Sequence, residues 1–207
     1  AMADFEWPKA AFEGYACDQP KKLCVNLSEM LKLLRGAGAD ESVEISLDEP
    51  TKRLNVQLKG KYTRTFSIVT LEATGEEAPI PKITFNVKAK LTTECLRQSM
   101  DDASTVSDHV RLEASPEKFV MVAAGDVGNA KIEWEKESEA LLGLDVKEES
   151  KATFSLNYLA EIIKAASTTS DVATVEFSTN IPVRLEFELP QGGKLAYYLA
   201  PRIESEA

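Results

Sequence analysis

One segment of this sequence occurs twice, and the repeat constrains the fold more than any other feature. Residues 25–37 read VNLSEMLKLLRGA and residues 154–166 read FSLNYLAEIIKAA, so apolar residues recur at the same spacing in both copies. Arg35 in the first copy aligns with Lys164 in the second. An internal repeat of this length predicts two similar domains with similar surfaces.

The similarity continues beyond the repeated segment, but the first copy is incomplete. The residues that follow each copy also resemble each other, with residues 42–46 matching 174–178 and residues 53–58 matching 184–189. Nothing in the first copy corresponds to residues 84–124. The repeat therefore predicts that roughly 40–50 residues are absent before Ala1. Truncation, a start assigned too late or true divergence would each explain this difference.

The periodicity of the sequence indicates an α+β fold. Ten segments mostly alternate apolar with polar residues, which is typical of half-buried antiparallel strands. They are residues 43–47, 54–59, 63–70, 84–91, 109–114, 119–124, 131–135, 174–178, 183–189 and 194–199. Short segments with helical period each follow a residue suited to the N-cap position. These predicted helices are Leu27–Arg35 with Asn26 as N-cap, Thr93–Ser104 with Thr92 or Thr93, and Leu156–Ala166 with Ser155. Because such short helices are marginal alone, we expect them to pack on sheets.

Residues 70–82, TLEATGEEAPIPK, interrupt the alternating pattern between the two copies of the repeat. The segment is acidic and contains Pro79 and Pro81, which stiffen a chain. We interpret it as an extended linker, with an ordinary surface loop as the alternative. The predicted organisation is a first domain at residues 1–69, a connecting loop at 70–82 and a second domain at 83–207.

Composition limits the class of protein. The 207 residues include three cysteines without CxxC spacing, which favours an intracellular, reduced protein without a disulfide framework or zinc site. We expect Cys17 and Cys24 to be reduced. Neither a secretory signal nor an apolar run long enough for a membrane helix is present in this sequence. The net charge of −10 argues against non-specific nucleic-acid binding, although the acidic residues are concentrated at 72–77 and 133–149.

The residue types needed for catalysis are not grouped in this sequence. It contains one histidine, His109, and no glycine-rich phosphate loop. Acidic pairs such as Asp101–Asp102 suit exposed turns, and no spacing of carboxylates points to a two-metal site. We therefore expect a protein that is not an enzyme and that needs neither a cofactor nor a metal ion.

Several motifs in a fixed order resemble a known family. They are Val106–Val110 (VSDHV), Phe119–Asn129 (FVMVAAGDVGN), Glu135–Leu142 (EKESEALL) and Tyr198–Glu204 (YLAPRIE). In this order they are similar to a sliding clamp of the proliferating cell nuclear antigen type, in its archaeal form. The resemblance covers essentially the whole chain, except that family members begin with a further strand, helix and strands.

The resemblance implies an α+β DNA-clamp fold, in which two similar domains place antiparallel sheets outside and short helices inside. It implies a processivity factor for DNA replication and repair that closes as a homotrimer, or as a heterotrimer with related subunits, around duplex DNA. The implied partners are DNA polymerase, flap endonuclease, DNA ligase and the clamp loader, with no membrane. The implied location is intracellular, at the nucleoid of an archaeal cytoplasm. The alternative is a partial clamp subunit or adaptor that binds client proteins without encircling DNA.

The resemblance also implies which helix residues face DNA. A clamp that slides should offer mobile cations to phosphate without reading bases. Lys32, Arg35 and Lys164 match family positions that are basic and face the hole, and Arg97 is a weaker candidate. On the helix of Arg97, Gln98 and Asp101 occupy positions that are often basic in the family. The alternative for any one of these cations is a solvated helix face.

A second implied site is a groove for a client peptide that docks a helical turn into an apolar pocket. By position, Met2, Ile80, Pro182 and Tyr198 would form the pocket, and Ala200, Pro201 and Ile203 would pair with the extended part of the peptide. The alternative is that Met2 and Tyr198 are simply core residues.

The third implied site is the subunit interface, which would join an edge strand of each domain in neighbouring copies. The two strands would be residues 62–69 and 127–135. The implied contact residues are Tyr62, Arg64, Phe66 and Ile68 on the first strand and Lys131, Ile132, Glu133 and Trp134 on the second. The alternative is an ordinary protected edge.

Overall fold

The computed structural model describes residues 1–72, 80 and 82–202. The chain divides into two compact units. The larger unit comprises Ala1–Tyr15 and Lys82–Ala207, and the smaller unit comprises Ala16–Pro81.

The larger unit contains two antiparallel sheets. The six-stranded sheet has the order β1-β13-β12-β11-β5-β9, and the four-stranded sheet has the order β10-β6-β7-β8. The strands of the first sheet are β1 (Met2–Glu6), β5 (Val87–Thr92), β9 (Leu141–Val146), β11 (Val172–Phe177), β12 (Val183–Leu189) and β13 (Gly193–Leu199). Those of the second are β6 (His109–Ser115), β7 (Lys118–Gly125), β8 (Gly128–Glu135) and β10 (Ser150–Ser155).

Two helices, α2 (Thr93–Ser104) and α3 (Leu156–Ala166), contact each other and strands of both sheets. Their helical spacing places Leu96 and Met100 of α2, and Leu156, Leu159 and Ile163 of α3, in the buried core. Because burial of each large apolar side chain contributes roughly 1.5–3 kcal/mol, this shared core explains why such short helices are stable here.

The smaller unit contains the helix α1 (Leu27–Leu34) and the three-stranded sheet β2 (Ser42–Asp48), β3 (Arg53–Lys59) and β4 (Thr63–Val69), in that order. The central strand buries its apolar residues Leu54, Val56 and Leu58. In contrast, Leu27 on α1 is 75% exposed, and Val43 on β2 is also exposed. Among the elements of this unit, therefore, the central strand β3 is the one whose apolar side chains are fully buried.

The three predicted helices are confirmed, but their N-caps differ. The side chain of Asn26 accepts hydrogen bonds from the backbone N–H groups of Ser28 and Glu29, at 3.0 and 3.3 Å. Thr92 and Ser155 occupy the same position of α2 and α3 without a side-chain capping bond. The Asn26 cap satisfies backbone donors that α1 would otherwise leave without an intrahelical partner.

Three strands, β1, β9 and β10, are not predicted by the sequence pattern. β1 pairs with β13 along its whole length, from Met2 opposite Tyr198 to Glu6 opposite Lys194. Residues 1–15 therefore group with the larger unit in the structure. The physical reason is this ladder of backbone hydrogen bonds, which attaches β1 to the last strand of the chain.

Within the described residues, no helix combines the length and the apolar character that crossing a membrane requires.

Candidate nucleic-acid and peptide interfaces

The helix α1 presents two of the predicted DNA-facing cations. Lys32 is exposed and lies 3.3 Å from the carboxylate of Glu29, one turn earlier. Arg35 is the C-cap of the helix, and no ion pair of its side chain occurs among the described residues. A cation at this end of a helix is favoured by the partial negative charge of the last carbonyl groups.

The helix α3 presents Lys164, the repeat equivalent of Arg35. It is exposed in the last turn of the helix. As with Arg35, the part of the chain that the structure describes contains no ion pair for Lys164. Of the four candidate cations, Arg35 and Lys164 are thus the two without an ion pair among the described residues, and they are also the two that the repeat aligns.

Arg97 on α2 differs from the other three cations because carboxylates hold it on both sides. Its Nε and Nη2 donate to the two carboxylate oxygens of Glu94, at 2.8 and 2.7 Å, and its Nη1 donates to Asp101 Oδ2 at 2.5 Å. The hydrogen bonds and charge of Glu94 and Asp101 raise the pKa of Arg97, and the bond from Arg97 lowers the pKa of Glu94. Both partners are therefore charged at neutral pH.

The larger unit brings together two of the predicted pocket residues. Met2 lies directly opposite Tyr198 in the pairing of β1 with β13. Tyr198 is 8% exposed and Met2 is half-buried. Pro182 is half-buried and immediately precedes β12, whose Val183 pairs with Leu199. Met2, Tyr198 and Pro182 thus flank neighbouring positions of one sheet, as a small apolar site requires.

The remaining predicted peptide contacts lie in the smaller unit and in the C-terminal tail. Ile80 belongs to the smaller unit and is 52% exposed. In the tail, Ala200 is exposed and Pro201 is half-buried. Ile203 lies outside the described residues, as do Pro79 and Pro81 of the predicted linker.

The tail is attached to the second sheet of the larger unit through Arg202. Its backbone N–H donates to the carbonyl oxygen of Thr153 on β10, at 2.7 Å. Its guanidinium contacts the His109 ring, with Nη1 lying 3.1 Å from Nδ1 and also in contact with Nε2. Residues 200–202 therefore connect the end of the six-stranded sheet to the edge of the four-stranded sheet. No sequence pattern predicts this contact between His109 and Arg202.

Sequence reasoning also missed an ion network beside Tyr198. Arg184 lies opposite Tyr198 on β12 and bonds the carboxylates of Glu176 and Glu186, while Lys88 lies 3.4 Å from Glu176. Burial alone would lower the pKa of Arg184, but the bond to Glu176 and the charges of the two carboxylates raise it. The sequence pattern that could have indicated this network is the alternation of charged with apolar residues on adjacent strands.

The predicted subunit edges are edge strands in the structure. β4 pairs only with β3, and β8 pairs only with β7, so each has one side free among the described residues. On β4, Phe66 and Ile68 are half-buried, and Tyr62 just before the strand is 66% exposed. Arg64 is already paired within its own unit, because its guanidinium lies 2.5 Å from the Glu41 carboxylate.

On β8, Glu133 accepts from Lys118 at 2.7 Å and lies 3.0 Å from Lys131. These lysines lower the pKa of Glu133, so it remains ionised at neutral pH. Ile132 is half-buried. Trp134 is only 4% exposed and stacks on Phe119 with ring centroids 5.4 Å apart. Its side chain belongs to the core, and only its backbone is free to take part in an edge contact.

The three cysteines are free thiols. Cys17 is exposed and donates to the carbonyl oxygen of Gln19 at 3.0 Å. Across the described ranges, no group of three or more His, Cys, Asp and Glu side chains is arranged to hold a metal ion.

Two family models match the chain. Residues 1–75 match "Proliferating cell nuclear antigen, N-terminal domain", and residues 79–202 match "Proliferating cell nuclear antigen, C-terminal domain".

Curated relatives and solved structures agree with these models. The "DNA polymerase sliding clamp 1" of Pyrobaculum aerophilum is 35% identical over 99% of this chain and 81% of the relative. The "DNA polymerase sliding clamp" of Nitrosopumilus maritimus is 35% identical over 99% of this chain and 82% of the relative. The crystal structure of a PCNA2–PCNA3 complex from Sulfolobus tokodaii matches 98% of this chain and 81% of the solved chain, with 28% identity and a TM-score of 0.85. The PCNA structure from Thermococcus kodakaraensis has the same fold, with a TM-score of 0.87, 24% identity and coverage of 97% of this chain and 81% of that one.

Proposed function

The chain belongs to the proliferating cell nuclear antigen family of DNA sliding clamps, and we propose that it tethers a DNA polymerase to duplex DNA and thereby raises its processivity. The observation that carries this proposal is that relatives named DNA polymerase sliding clamp match 99% of the chain. In this role the protein binds and positions other enzymes and catalyses no reaction itself.

We propose that DNA is contacted through cations on the short helices. Arg35 and Lys164 support this role because both are free of ion pairs in the described part of the chain and occupy equivalent positions of the repeat. Lys32 would contribute more weakly, since Glu29 competes for it. Flexible cations that meet phosphates without reading base edges give binding that is independent of sequence. Such contacts are easily exchanged, as sliding requires.

Client proteins would dock a short apolar helical turn on the larger unit, beside Met2, Pro182 and Tyr198. The pairing of Met2 with Tyr198 supports this site, because it holds two apolar side chains next to each other at the sheet edge. Ala200 and Pro201 would pair with the extended part of the peptide, and Ile80 and Ile203 are further candidate contacts. The clients proposed by family membership are polymerase, flap endonuclease, ligase and the clamp loader.

Assembly would use the free edges of β4 and β8. A strand pair formed between β4 of one copy and β8 of the next is heterologous, so it generates a closed ring when the rotation between copies permits. Phe66 and Ile68 would supply apolar contact area, with Tyr62 at the end of β4 and Ile132 on β8. The ring would form from three copies of this chain or from this chain and related subunits, in the archaeal cytoplasm at the nucleoid. The domains that the repeat defines would be residues 1–69 and 83–207, with 70–82 connecting them.

The test is primer extension on a singly primed circular template with an archaeal clamp loader and polymerase. Adding this chain should lengthen the products of a single polymerase binding event. The double variant Arg35→Glu with Lys164→Glu should lose most of this gain in product length. The control Lys147→Glu, which reverses an exposed cation before β10, should retain it. If product length does not respond to the chain while client peptides still bind it, the adaptor alternative is correct.

A further inference from the structure

The exposed face of α2 holds its one cation between two carboxylates. Glu94 receives two hydrogen bonds from the Arg97 guanidinium, and Asp101 receives a third on the other side. Gln98 adds a bond from its Nε2 to Glu94 Oε1 at 3.0 Å, which helps to fix that carboxylate. Three of the exposed side chains on this helix are therefore arranged around Arg97.

The arrangement leaves Arg97 less accessible than the groups that hold it. Its side chain is 29% exposed, compared with 59% for both Glu94 and Asp101. An approaching phosphate would meet the carboxylates first. Three of the five guanidinium N–H groups already donate to these carboxylates, which leaves two for a phosphate.

The neighbouring helix α3 shows the opposite arrangement. Lys164 is exposed in its last turn and has no ion pair within the described residues. On α2, Arg97 instead lies 2.7 Å from the carboxylate of Glu94 and 2.5 Å from that of Asp101. These distances are well within one Debye length, roughly 8 Å at physiological salt, so salt screens the charges only partly from each other.

A single exposed ion pair is weak, typically about 0–1 kcal/mol, and alone would not keep an arginine from DNA. Two features make this case different. The arginine is bound by two carboxylates at once, and releasing it would leave both negative charges beside the incoming phosphate. The cost of contact therefore includes repulsion as well as the broken bonds.

We propose that Glu94 and Asp101 limit DNA affinity by holding Arg97 away from phosphate, so that α2 and α3 together contact DNA only through Lys164. This inference rests on the proposed sliding-clamp function and specifies which residues set the strength of its DNA contact. A clamp with fewer phosphate contacts releases fewer counterions and moves along DNA against smaller barriers. Arg97 can then bind phosphate only when Glu94 and Asp101 no longer hold it.

The test measures binding of the purified chain to a duplex oligonucleotide by fluorescence anisotropy over a series of salt concentrations. Glu94→Gln with Asp101→Asn should raise affinity and steepen the dependence of log K on log salt by about 0.9 for each subunit whose Arg97 reaches a phosphate. Arg97→Ala in the wild-type background should leave the slope unchanged and alter affinity only through net charge. In the double variant, Arg97→Ala should remove the gain in slope.

The matched control removes two negative charges without touching Arg97. Asp102→Asn with Glu161→Gln neutralises one exposed carboxylate on each of α2 and α3, and neither side chain bonds Arg97. This control should raise affinity only through net charge, with no dependence on Arg97. Thermal melting of each variant shows that the fold is retained.

The proposal is overturned if Glu94→Gln with Asp101→Asn leaves the salt dependence unchanged, or if Arg97→Ala in that background keeps the whole gain. It is also overturned if Arg97→Ala alone weakens wild-type binding as much as Lys164→Ala does. Failure of the proposed function has a different signature, because then Lys164→Ala and Arg35→Ala leave both DNA binding and primer extension unchanged.

Discussion

At the scale of single residues, the groups around a cation determine whether it can bind a phosphate of DNA. Lys164 and Arg97 lie on adjacent helices, yet one has no ion pair among the described residues and the other is bonded to Glu94 and Asp101. Lys164→Glu should lower the slope of log K against log salt for duplex DNA by about 0.9 per contacting subunit. Anisotropy titrations measure this slope. Lys151→Glu, which reverses an exposed cation on β10, should bind as the wild type does, and an equal loss in both variants would refute the role of Lys164.

A second residue-scale prediction concerns the end of β7. A Cβ atom added at Gly125 would lie 1.9 Å from the backbone oxygen of Val106, so either the β7–β8 turn or the segment after α2 must move. Gly125→Ala should therefore cost about 1–3 kcal/mol of unfolding free energy, as overpacking does. Gly14→Ala is the matched change, because no atom lies within 4 Å of the added carbon. Denaturant unfolding of both variants tests the difference, and similar stabilities would contradict it.

The client site gives a third residue-scale prediction. Met2→Ala should weaken binding of a clamp-binding peptide by about tenfold, because an apolar anchor in a buried pocket typically contributes 1 kcal/mol or more. Val127→Ala removes an apolar side chain that is 82% exposed in the β7–β8 turn and should leave the affinity unchanged. Isothermal titration calorimetry compares the two. Equal affinities for Met2→Ala and the wild type would remove Met2 from the site.

At the scale of elements, the two copies of the repeated helix differ in how completely they are packed. Leu156 on α3 has no exposed surface, whereas its repeat equivalent on α1, Leu27, is 75% exposed. Leu156→Ala should cost about 2–5 kcal/mol, because it opens a cavity in the core. Leu27→Ala should change stability by less than about 0.5 kcal/mol. Chemical denaturation of the pair tests this, and a large loss for Leu27→Ala would show that its surface is covered.

The elements also show how far the sequence was informative. The helices were predictable because their apolar residues follow a 3.6-residue period over more than two turns. β1 was missed because its partner, β13, is almost the whole chain away, and pairing at that distance leaves no local signal. Among candidate site residues, positions such as Arg35 and Lys164 follow from the repeat. The ion pairs that hold Arg97 and Arg64 depend on which side chains the fold brings within bonding distance, and composition does not reveal that.

At the scale of the whole molecule, the proposed assembly would pair β4 of one copy with β8 of the next. Phe66→Asp places a charge among the half-buried apolar residues of β4 and should reduce the assembly to monomer, since an unpaired buried charge is costly. Val43→Asp, on the opposite edge strand β2 of the same sheet, should leave the assembly unchanged. Sedimentation velocity measures the size of each species. A wild-type chain that stays monomeric at high concentration would rule out a homotrimer.

The pairing of β1 with β13 sets an order of events during synthesis. Residues 2–6 are synthesised well before their partner residues 194–198. At about 5–20 residues per second, roughly 10–40 seconds pass between the synthesis of β1 and that of its partner strand β13. The smaller unit is encoded within residues 16–81 and can begin to fold long before the larger unit is complete.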